Sequence, residues 1–178
     1  MPQVDLLPND IDASETGNWE STPAVQILPS ILNDGDDSTL CNNASQNQSM
    51  FLLLDNLEIS NFQSPTSVQL IVRAKAGAKG SAAFTAEIVK ESNGEAIISN
   101  NHTATTTSLD NYSGTIANIS DENETFVNNL AVKITTTGGT QGFFSQVTVK
   151  LIYVETSPGK ILLNTGKILL NTGKITIS

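Results

Sequence analysis

The sequence has few of the side chains that catalysis and metal binding usually require. Among its 178 residues it contains one cysteine, Cys41, one histidine, His102, and one arginine, Arg73. A lone cysteine forms no intrachain disulfide and has no metal-ligand spacing, so Cys41 is predicted to be a small buried or half-buried residue. His102 stands in the polar stretch Asn-Asn-His-Thr-Ala and is predicted to be a surface loop residue. Because no Cys/His pair or Ser/His/Asp set has a signature here, we expect no enzyme activity and no cofactor.

Basic residues are scarce and unevenly placed. Residues 1–58 hold ten acids and no lysine or arginine, whereas residues 156–178 hold three lysines and no acid. The formal net charge of the whole chain is −9. Phosphate neutralisation requires clustered Lys and Arg, so a nucleic-acid partner is not expected. We interpret the negative charge as a solvated surface that keeps the protein soluble.

Long apolar runs are missing as well. The longest one, residues 50–54, falls far below the ~18 residues that a membrane span needs, so no membrane partner is expected. Residues 1–10 have no basic region and no apolar stretch of the kind found in secretion signals. We therefore expect a chain that is made and kept soluble, unless it leaves the cell inside a larger particle.

Short alternating segments separated by turn residues indicate an all-β fold. Ser, Thr and Asn are abundant, and few windows are rich in helix-forming residues. Residues 67–74 and 82–90 alternate apolar and polar side chains as half-buried strands do. Asn93-Gly94 is a strong hairpin signal at the end of the second of these strands.

A second pair of strands is predicted at 129–135 and 142–154. Phe143, Val147, Val149, Leu151 and Tyr153 are expected on one face of the latter. Because Gly138-Gly139 indicates a turn between the two strands, they are predicted to pair antiparallel. The spacing of strands and turns predicts an antiparallel β-sandwich or jelly-roll-like body.

The two ends of the chain differ from this body. Residues 1–30 hold four of the six prolines, which predicts an extended N-terminal arm that lies on the body or on a neighbouring subunit. Residues 31–155 are assigned to the β-sandwich domain. Residues 156–178 are assigned to a C-terminal tail.

The tail carries the one clear internal repeat. Gly-Lys-Ile-Leu-Leu-Asn-Thr occurs at 159–165 and again at 166–172, and a third copy begins at 173. A coiled coil is excluded, because a glycine in every heptad would cost the helix about 1 kcal/mol or more per turn. Asn-Thr-Gly-Lys fits a hairpin turn instead, which predicts a short β-meander. Strands this short need a partner surface, either the body of this chain or copies of the tail from other subunits. The predicted interface residues are Ile161, Leu162, Leu163, Ile168, Leu169, Leu170, Ile175 and Ile177.

Three carboxylates are closely spaced at Asp34, Asp36 and Asp37. Hard cations prefer closely spaced carboxylates on a turn, which makes this stretch a candidate calcium site. The same residues, with Asn33 and Gly35, also fit a plain solvated turn. The sequence is thus compatible with a calcium site and with a solvated turn.

The order of these features resembles virion-associated β-sandwich proteins of tailed bacteriophages. An Asn-Asp-Gly-Asp turn precedes the apolar strand at 51–54, alternating strands follow at 67–74 and 83–89, and a closing hairpin joins 126–134 to 146–154. The resemblance implies a structural protein of a virion, either a capsid decoration (cement) protein or a head-fibre-type protein. It also implies a homo-oligomer with other virion proteins, of capsid or tail, as partners. The expected location is the virion, after synthesis in the host cytoplasm.

A carbohydrate-binding or adhesin module of a bacterial surface protein is the alternative function for the same fold. Such a module is expected to expose aromatic rings that stack on sugars. This chain has only Trp19, Tyr112 and Tyr153 beside its six phenylalanines, and Tyr153 is expected to face inward. The discriminating observation is whether a concave patch gathers two carboxylates or several aromatic residues in one place, which only the tertiary structure can reveal.

Overall fold

The chain folds into two packed antiparallel sheets and a separate hairpin. The structure is a computed structural model and describes residues 1–13, 16–17, 19–22, 28–43, 47–77, 80–139, 141–156, 161–164 and 167–170. The predicted all-β sandwich is confirmed. No helix in these ranges has the length and apolar character to cross a bilayer. In chain order the elements are β1 (Gln3–Leu6), β2 (Pro8–Ile11), β3 (Glu20–Thr22), α1 (Leu28–Asn33), β4 (Leu40–Asn43), β5 (Ser49–Leu54), β6 (Phe62–Ala76), β7 (Ala82–Lys90), β8 (Ala96–Ala104), β9 (Asp110–Asn118), α2 (Glu124–Val127), β10 (Leu130–Gly139), β11 (Gly142–Glu155), β12 (Ile161–Asn164) and β13 (Lys167–Leu170).

The two sheets have different strand orders. Sheet A runs β3-β4-β11-β6-β9, and sheet B runs β2-β5-β10-β7-β8. β1 also belongs to sheet A: it pairs with residues 149–152 of β11, whereas β4 pairs with residues 142–144 of the same strand. β1 and β4 therefore share the edge of β11 that β6 does not occupy.

The core lies between the sheets, and in β6 and β7 it is built largely by alternation of buried and outward side chains. Val68, Leu70 and Val72 of β6 are buried from sheet A, and Phe84 and Ile88 of β7 are buried from sheet B, as the sequence predicts. Burying a side chain of this size stabilises a fold by about 1.5–3 kcal/mol. The regular strands β6 and β7 therefore hold the two sheets together.

Strands β10 and β11 do not pair, and the predicted hairpin is wrong. β10 lies in sheet B between β5 and β7, whereas β11 lies in sheet A beside β6. Gly138 and Gly139 are the last residues of β10 and pair with Ala83 and Ala82 of β7. Gly139 has a φ of +85°, and a Cβ there would overlap the carbonyl of Ser81. Gly139 allows a close approach to β7, after which the chain crosses to the other sheet.

A β-bulge in β11 decides which phenylalanine enters the core. The register between β11 and β6 shifts between Phe144 and Gln146, so Ser145 is the extra residue. Phe144 is fully buried, while Phe143 is only half-buried. The expected inward position of Phe143 is therefore wrong. The other four residues predicted on that face are buried: Val147, Val149, Leu151 and Tyr153.

The N-terminal segment is part of the sandwich. Its strands β1 and β3 extend sheet A, and β2 extends sheet B. Between β2 and β3 the backbone N–H of Gly17 donates to the carbonyl of Ser49 at 2.8 Å. The indole Nε1 of Trp19 donates to the same carbonyl at 2.9 Å, and its ring lies 5.5 Å from that of Phe144. Of the two surfaces considered for this segment, it therefore lies on the body of its own chain.

Helix α1 follows the N-terminal segment and was not anticipated from the sequence. It packs against β2 of sheet B and β11 of sheet A. Ile31 and Leu32 are fully buried, and Asn33 Nδ2 donates to the carbonyl of Pro8 at 2.7 Å. The helix thus fills the side of the sandwich where the N-terminal strands cross between sheets.

The first two tail repeats form a hairpin. β12 pairs antiparallel with β13, with Leu162 opposite Leu169, and this pair is separate from both sandwich sheets. Six of the eight predicted interface residues belong to these two strands. Ile175 and Ile177, together with the third strand of the predicted meander, lie outside the described residues.

Candidate binding face on the six-stranded sheet

The outward side of sheet A is an extended polar surface. Side chains that alternate with the core residues of β6 point away from the other sheet, and the register aligns them with outward residues of β11, β1 and β9. Most of these residues are half-buried or exposed. We define this surface, the sheet A face, as Gln3, Asp5, Ser67, Gln69, Ile71, Arg73, Lys75, Asn111, Ser113, Ile116, Phe143, Gln146, Thr148, Lys150 and Ile152.

The guanidinium of Arg73 is held in place by a two-point ion pair. Its Nε lies 2.7 Å from Asp37 Oδ1 and its Nη2 lies 2.6 Å from Asp37 Oδ2. The hydroxyl of Ser145, the bulge residue, donates to Asp37 Oδ1 at 3.2 Å. The hydrogen bond from Arg73 lowers the pKa of Asp37 and raises the pKa of Arg73. The pair fixes a planar group of N–H donors at one end of the face.

The other end of the face holds a shallow depression of about 50 Å³. Its walls include Gln3, Gln69, Lys150 and two isoleucines. Gln69 Nε2 donates to the carbonyl of Gly114 at 3.1 Å, and Lys150 Nζ lies 3.3 Å from a carboxylate oxygen of Asp5. A volume of this size holds one or two waters or a hydroxymethyl group. The depression therefore combines restrained amide and ammonium groups with apolar surface.

Exposed apolar side chains interrupt the polar groups of the face. Ile116 of the edge strand β9 is 62% exposed, which makes it one of the few large apolar residues that face solvent. It lies opposite Gln69, while Ile152 lies opposite Ser67 and Gln3. The face thus presents small apolar spots separated by hydrogen-bonding groups.

The aromatic residues named from the sequence are used for packing. Trp19 packs on Phe144, and Tyr153 is buried beside the ring of Phe62 at 5.6 Å. Tyr112 is half-buried with its ring 5.5 Å from that of Phe84. Only Phe143 contributes an aromatic ring to the sheet A face, and Lys75 Nζ lies 5.8 Å above it. The face therefore has no broad aromatic platform.

His102 is not the loop residue that the sequence predicts. It lies on β8, half-buried, with its ring 5.3 Å from Phe84 and 5.7 Å from Tyr112. Burial lowers its pKa. The prediction is wrong because the surrounding Asn and Thr residues form an edge strand, in which every second side chain still reaches the core.

The candidate calcium ligands face different partners. Asp34 accepts hydrogen bonds from the Asp36 backbone N–H at 2.7 Å and the Thr39 hydroxyl at 2.7 Å, while Asp36 accepts from the Ser38 backbone N–H at 2.8 Å. Asp37 binds Arg73. Within the described ranges, no group of three or more His, Cys, Asp or Glu residues could hold a metal ion. Asp34 and Asp36 therefore accept hydrogen bonds from the turn itself, whereas Asp37 is paired with Arg73.

The sequence predicts only part of the sheet A face. Alternation in β6 places Gln69, Ile71 and Arg73 opposite to the core residues, and that much follows from the pattern alone. Their neighbours come from β1, β9 and β11, whose register with β6 has no local sequence signal. The bulge at Ser145, which brings Phe143 to the face, also lacks a sequence signal.

The chain matches no family model and no curated protein. Its backbone is similar to that of a cyclase from Fischerella sp. TAU, with a TM-score of 0.52 and 10% identity over 86% of this chain and 86% of that one. It is also similar to the CBM36-1 domain of a multidomain xylanase from the hindgut metagenome of Trinervitermes trinervoides, with a TM-score of 0.46 and 11% identity over 87% of this chain and 100% of that one. A third similar structure is a carbohydrate-binding module of Cellvibrio mixtus lichenase 5A in complex with cellotriose. Its TM-score is 0.43, with 11% identity over 85% of this chain and 98% of that one. At such identities the likeness concerns the fold and transfers no ligand or activity.

Proposed function

We propose that this chain is a non-catalytic binding module that recognises carbohydrate through the sheet A face. The observation that carries the proposal is the depression itself, where the restrained Gln69 amide and Lys150 ammonium lie beside the exposed side chain of Ile116. Sugar hydroxyls both donate and accept hydrogen bonds, and amide and guanidinium groups are suited to pair with them. The C–H faces of a sugar ring are apolar and fit side chains such as Ile116. Binding sites in general combine apolar surface with a few well-placed polar groups.

The predicted affinity is low. The depression is small, and Phe143 is the one aromatic ring on the face. Each contact on an open, hydrated face contributes little to the binding free energy, because the polar groups of the protein and of the sugar must first lose bound water. We expect dissociation constants on the order of 1 mM, equivalent to about −4 kcal/mol, for a single site.

The test is a screen of the protein against soluble neutral and acidic polysaccharides, followed by titration calorimetry of each hit. Gln69→Ala and Ile116→Ala should each weaken binding at least several-fold, because each removes one wall of the depression. Lys133→Ala, on the outward side of sheet B, is the matched control and should bind like the parent protein. The proposal is wrong if no polysaccharide binds, or if the control loses as much affinity as the two variants.

The virion role implied by the family resemblance stays a second proposal. It is based on the tail hairpin, which pairs with neither sandwich sheet and which supports assembly with another surface rather than a virion location in particular. A two-stranded hairpin of this length is marginal by itself, so it is suited to assembly with another surface. The solution mass of the full chain and of a version that ends after Thr156 would test self-assembly. A complex that dissociates on truncation would support self-assembly through the tail. Monomers in both cases would contradict self-assembly and leave attachment to a partner, or coverage of the body of the same chain, as the role of the tail.

A further inference from the structure

A mainly polar groove with an acidic rim lies at the end of the sandwich where β1 and β2 meet the segment after β5. Its volume is about 490 Å³. Leu6 and Leu57 are buried in its floor, while Asp55 and Glu58 are exposed at its rim. We call it the acidic groove and define it by Leu6, Leu57, Ile59, Asp5, Asp55 and Glu58.

Two carboxylates of the acidic groove have no cationic partner in the described part of the chain. Its three ion pairs are Arg73 with Asp37, Lys90 with Glu95, and Lys150 with Asp5. Neither Asp55 nor Glu58 takes part in any of these three ion pairs. A positively charged group can therefore bind Asp55 and Glu58 without breaking an existing ion pair. Only at Asp5 would it compete with one, the pair with Lys150.

The tail leaves the body beside this groove. The Thr156 backbone N–H donates to the carbonyl of Asn61 at 2.8 Å, and the Tyr153 backbone N–H donates to the carbonyl of Pro2 at 3.2 Å. Asn61 and Pro2 each lie two residues from a residue that lines the groove. The C-terminal end of β11 is thus bonded to two segments that continue into the lining of the groove.

The tail has the composition that the groove would bind. Residues 156–178 contain three lysines and no acid, and each lysine precedes an isoleucine in the repeat. The half-buried side chain of Ile59 offers an apolar contact to the isoleucine, and the adjacent lysine suits the acidic rim. Opposite charge at such a contact adds specificity and speeds association.

A second copy can receive the tail without any strand leaving sheet A or sheet B. The hairpin of β12 and β13 forms its own sheet and adds no strand to sheet A or sheet B. We propose that the acidic groove of one copy docks the KILLNTG tail of a second copy. A reciprocal exchange gives two equivalent contacts related by a two-fold axis, which closes the assembly. This inference rests on the second proposal, self-assembly through the tail, and not on carbohydrate binding, although Asp5 belongs to both the acidic groove and the sheet A face.

Charge reversal on the full-length chain tests the exchange. The groove variant carries Asp55→Lys and Glu58→Lys, and the tail variant carries Lys160→Glu, Lys167→Glu and Lys174→Glu. Light scattering should show a dimer for the parent protein, and each variant alone should have a dissociation constant raised at least about tenfold, because like charges face each other. An equimolar mixture of the two variants should restore a mixed dimer, since each groove then meets a tail of opposite charge.

A matched variant separates the groove from net charge. Asp121→Lys with Glu122→Lys makes the same charge change in a different groove and should leave the dimer unchanged. A monomeric parent protein at about 100 µM would overturn the proposal, and so would a dimer that the groove variant leaves intact. If the variants stay monomeric when mixed, the tail does not cross to a second copy and the proposal is also wrong. Polysaccharide binding, measured on the same samples, reports separately on the sheet A face.

Discussion

Asn100 and Thr115 join two strands that belong to different sheets. Asn100 Oδ1 in β8 of sheet B accepts a hydrogen bond from the Thr115 backbone N–H in β9 of sheet A at 3.3 Å. Asn100 Nδ2 is buried, and it is the one buried side-chain polar atom without a hydrogen-bond partner in the described ranges. A Cβ on Gly114 would lie 2.6 Å from it. The contact therefore closes one side of the sandwich and requires a glycine next to it.

We predict that Gly114→Ala destabilises the protein through Asn100. The added methyl group would displace the Asn100 amide and break its bond to Thr115, which should lower the free energy of unfolding by about 1 kcal/mol. In an Asn100→Ala background the same change should cost little, because the group it displaces is gone. Urea denaturation of both single variants and the double variant measures this coupling. Gly138→Ala is the control, since a Cβ there meets nothing within 4 Å.

His102 should make stability depend on pH. Its pKa is lowered in the folded protein because burial disfavours the charged ring. The unfolded chain therefore binds a proton first as pH falls through about 6.5, and the free energy of unfolding decreases until the folded protein is protonated too. Urea denaturation at pH 7.5 and pH 5.5 should show this loss, and His102→Gln should remove it. An equal loss in both proteins would mean that other groups cause it.

We predict that the N-terminal segment unfolds together with the body of the sandwich. The fluorescence of Trp19 can report this. The segment pairs with both sheets, and the indole ring contacts Phe144 in the core. Because Trp19 is the only tryptophan, its fluorescence should change at the same urea concentration as the far-UV circular dichroism. Trp19→Phe should lower the free energy of unfolding by about 1 kcal/mol through loss of the bond to Ser49. A fluorescence change at lower urea would show that the segment detaches first.

Cys41 should be unreactive in the native protein. The prediction of a buried residue is confirmed: its side chain is fully buried with Sγ 3.8 Å from Met50 Sδ, and burial raises its pKa to about 12. The thiolate is the reactive form, so an aromatic disulfide reagent at pH 8 should label it only after the chain unfolds. Rapid labelling without denaturant would show that β4 opens easily.

The strands that the sequence predicts well are those with a strong apolar alternation. β7 has the predicted bounds of 82–90, and the core positions of β6 agree with the pattern. β9 was missed because its Ser, Thr and Asn residues form an edge strand with few buried positions. The N-terminal strands were missed because prolines and acids hide their pairing. Edge strands satisfy much of their surface with water, and their composition therefore resembles that of loops.

The amino-acid sequence by itself determined the all-β class, the buried faces of the central strands, the lone buried thiol and the strand-forming repeat of the tail. These follow from the local period of apolar residues and from turn chemistry, which act over a few residues. Only the tertiary structure decided which sheet each strand enters, how Ser145 turns Phe143 outward, and which side chains meet on the sheet A face and in the acidic groove. Those outcomes depend on contacts between residues far apart in the chain, where the gain from packing two sheets outweighs any local preference.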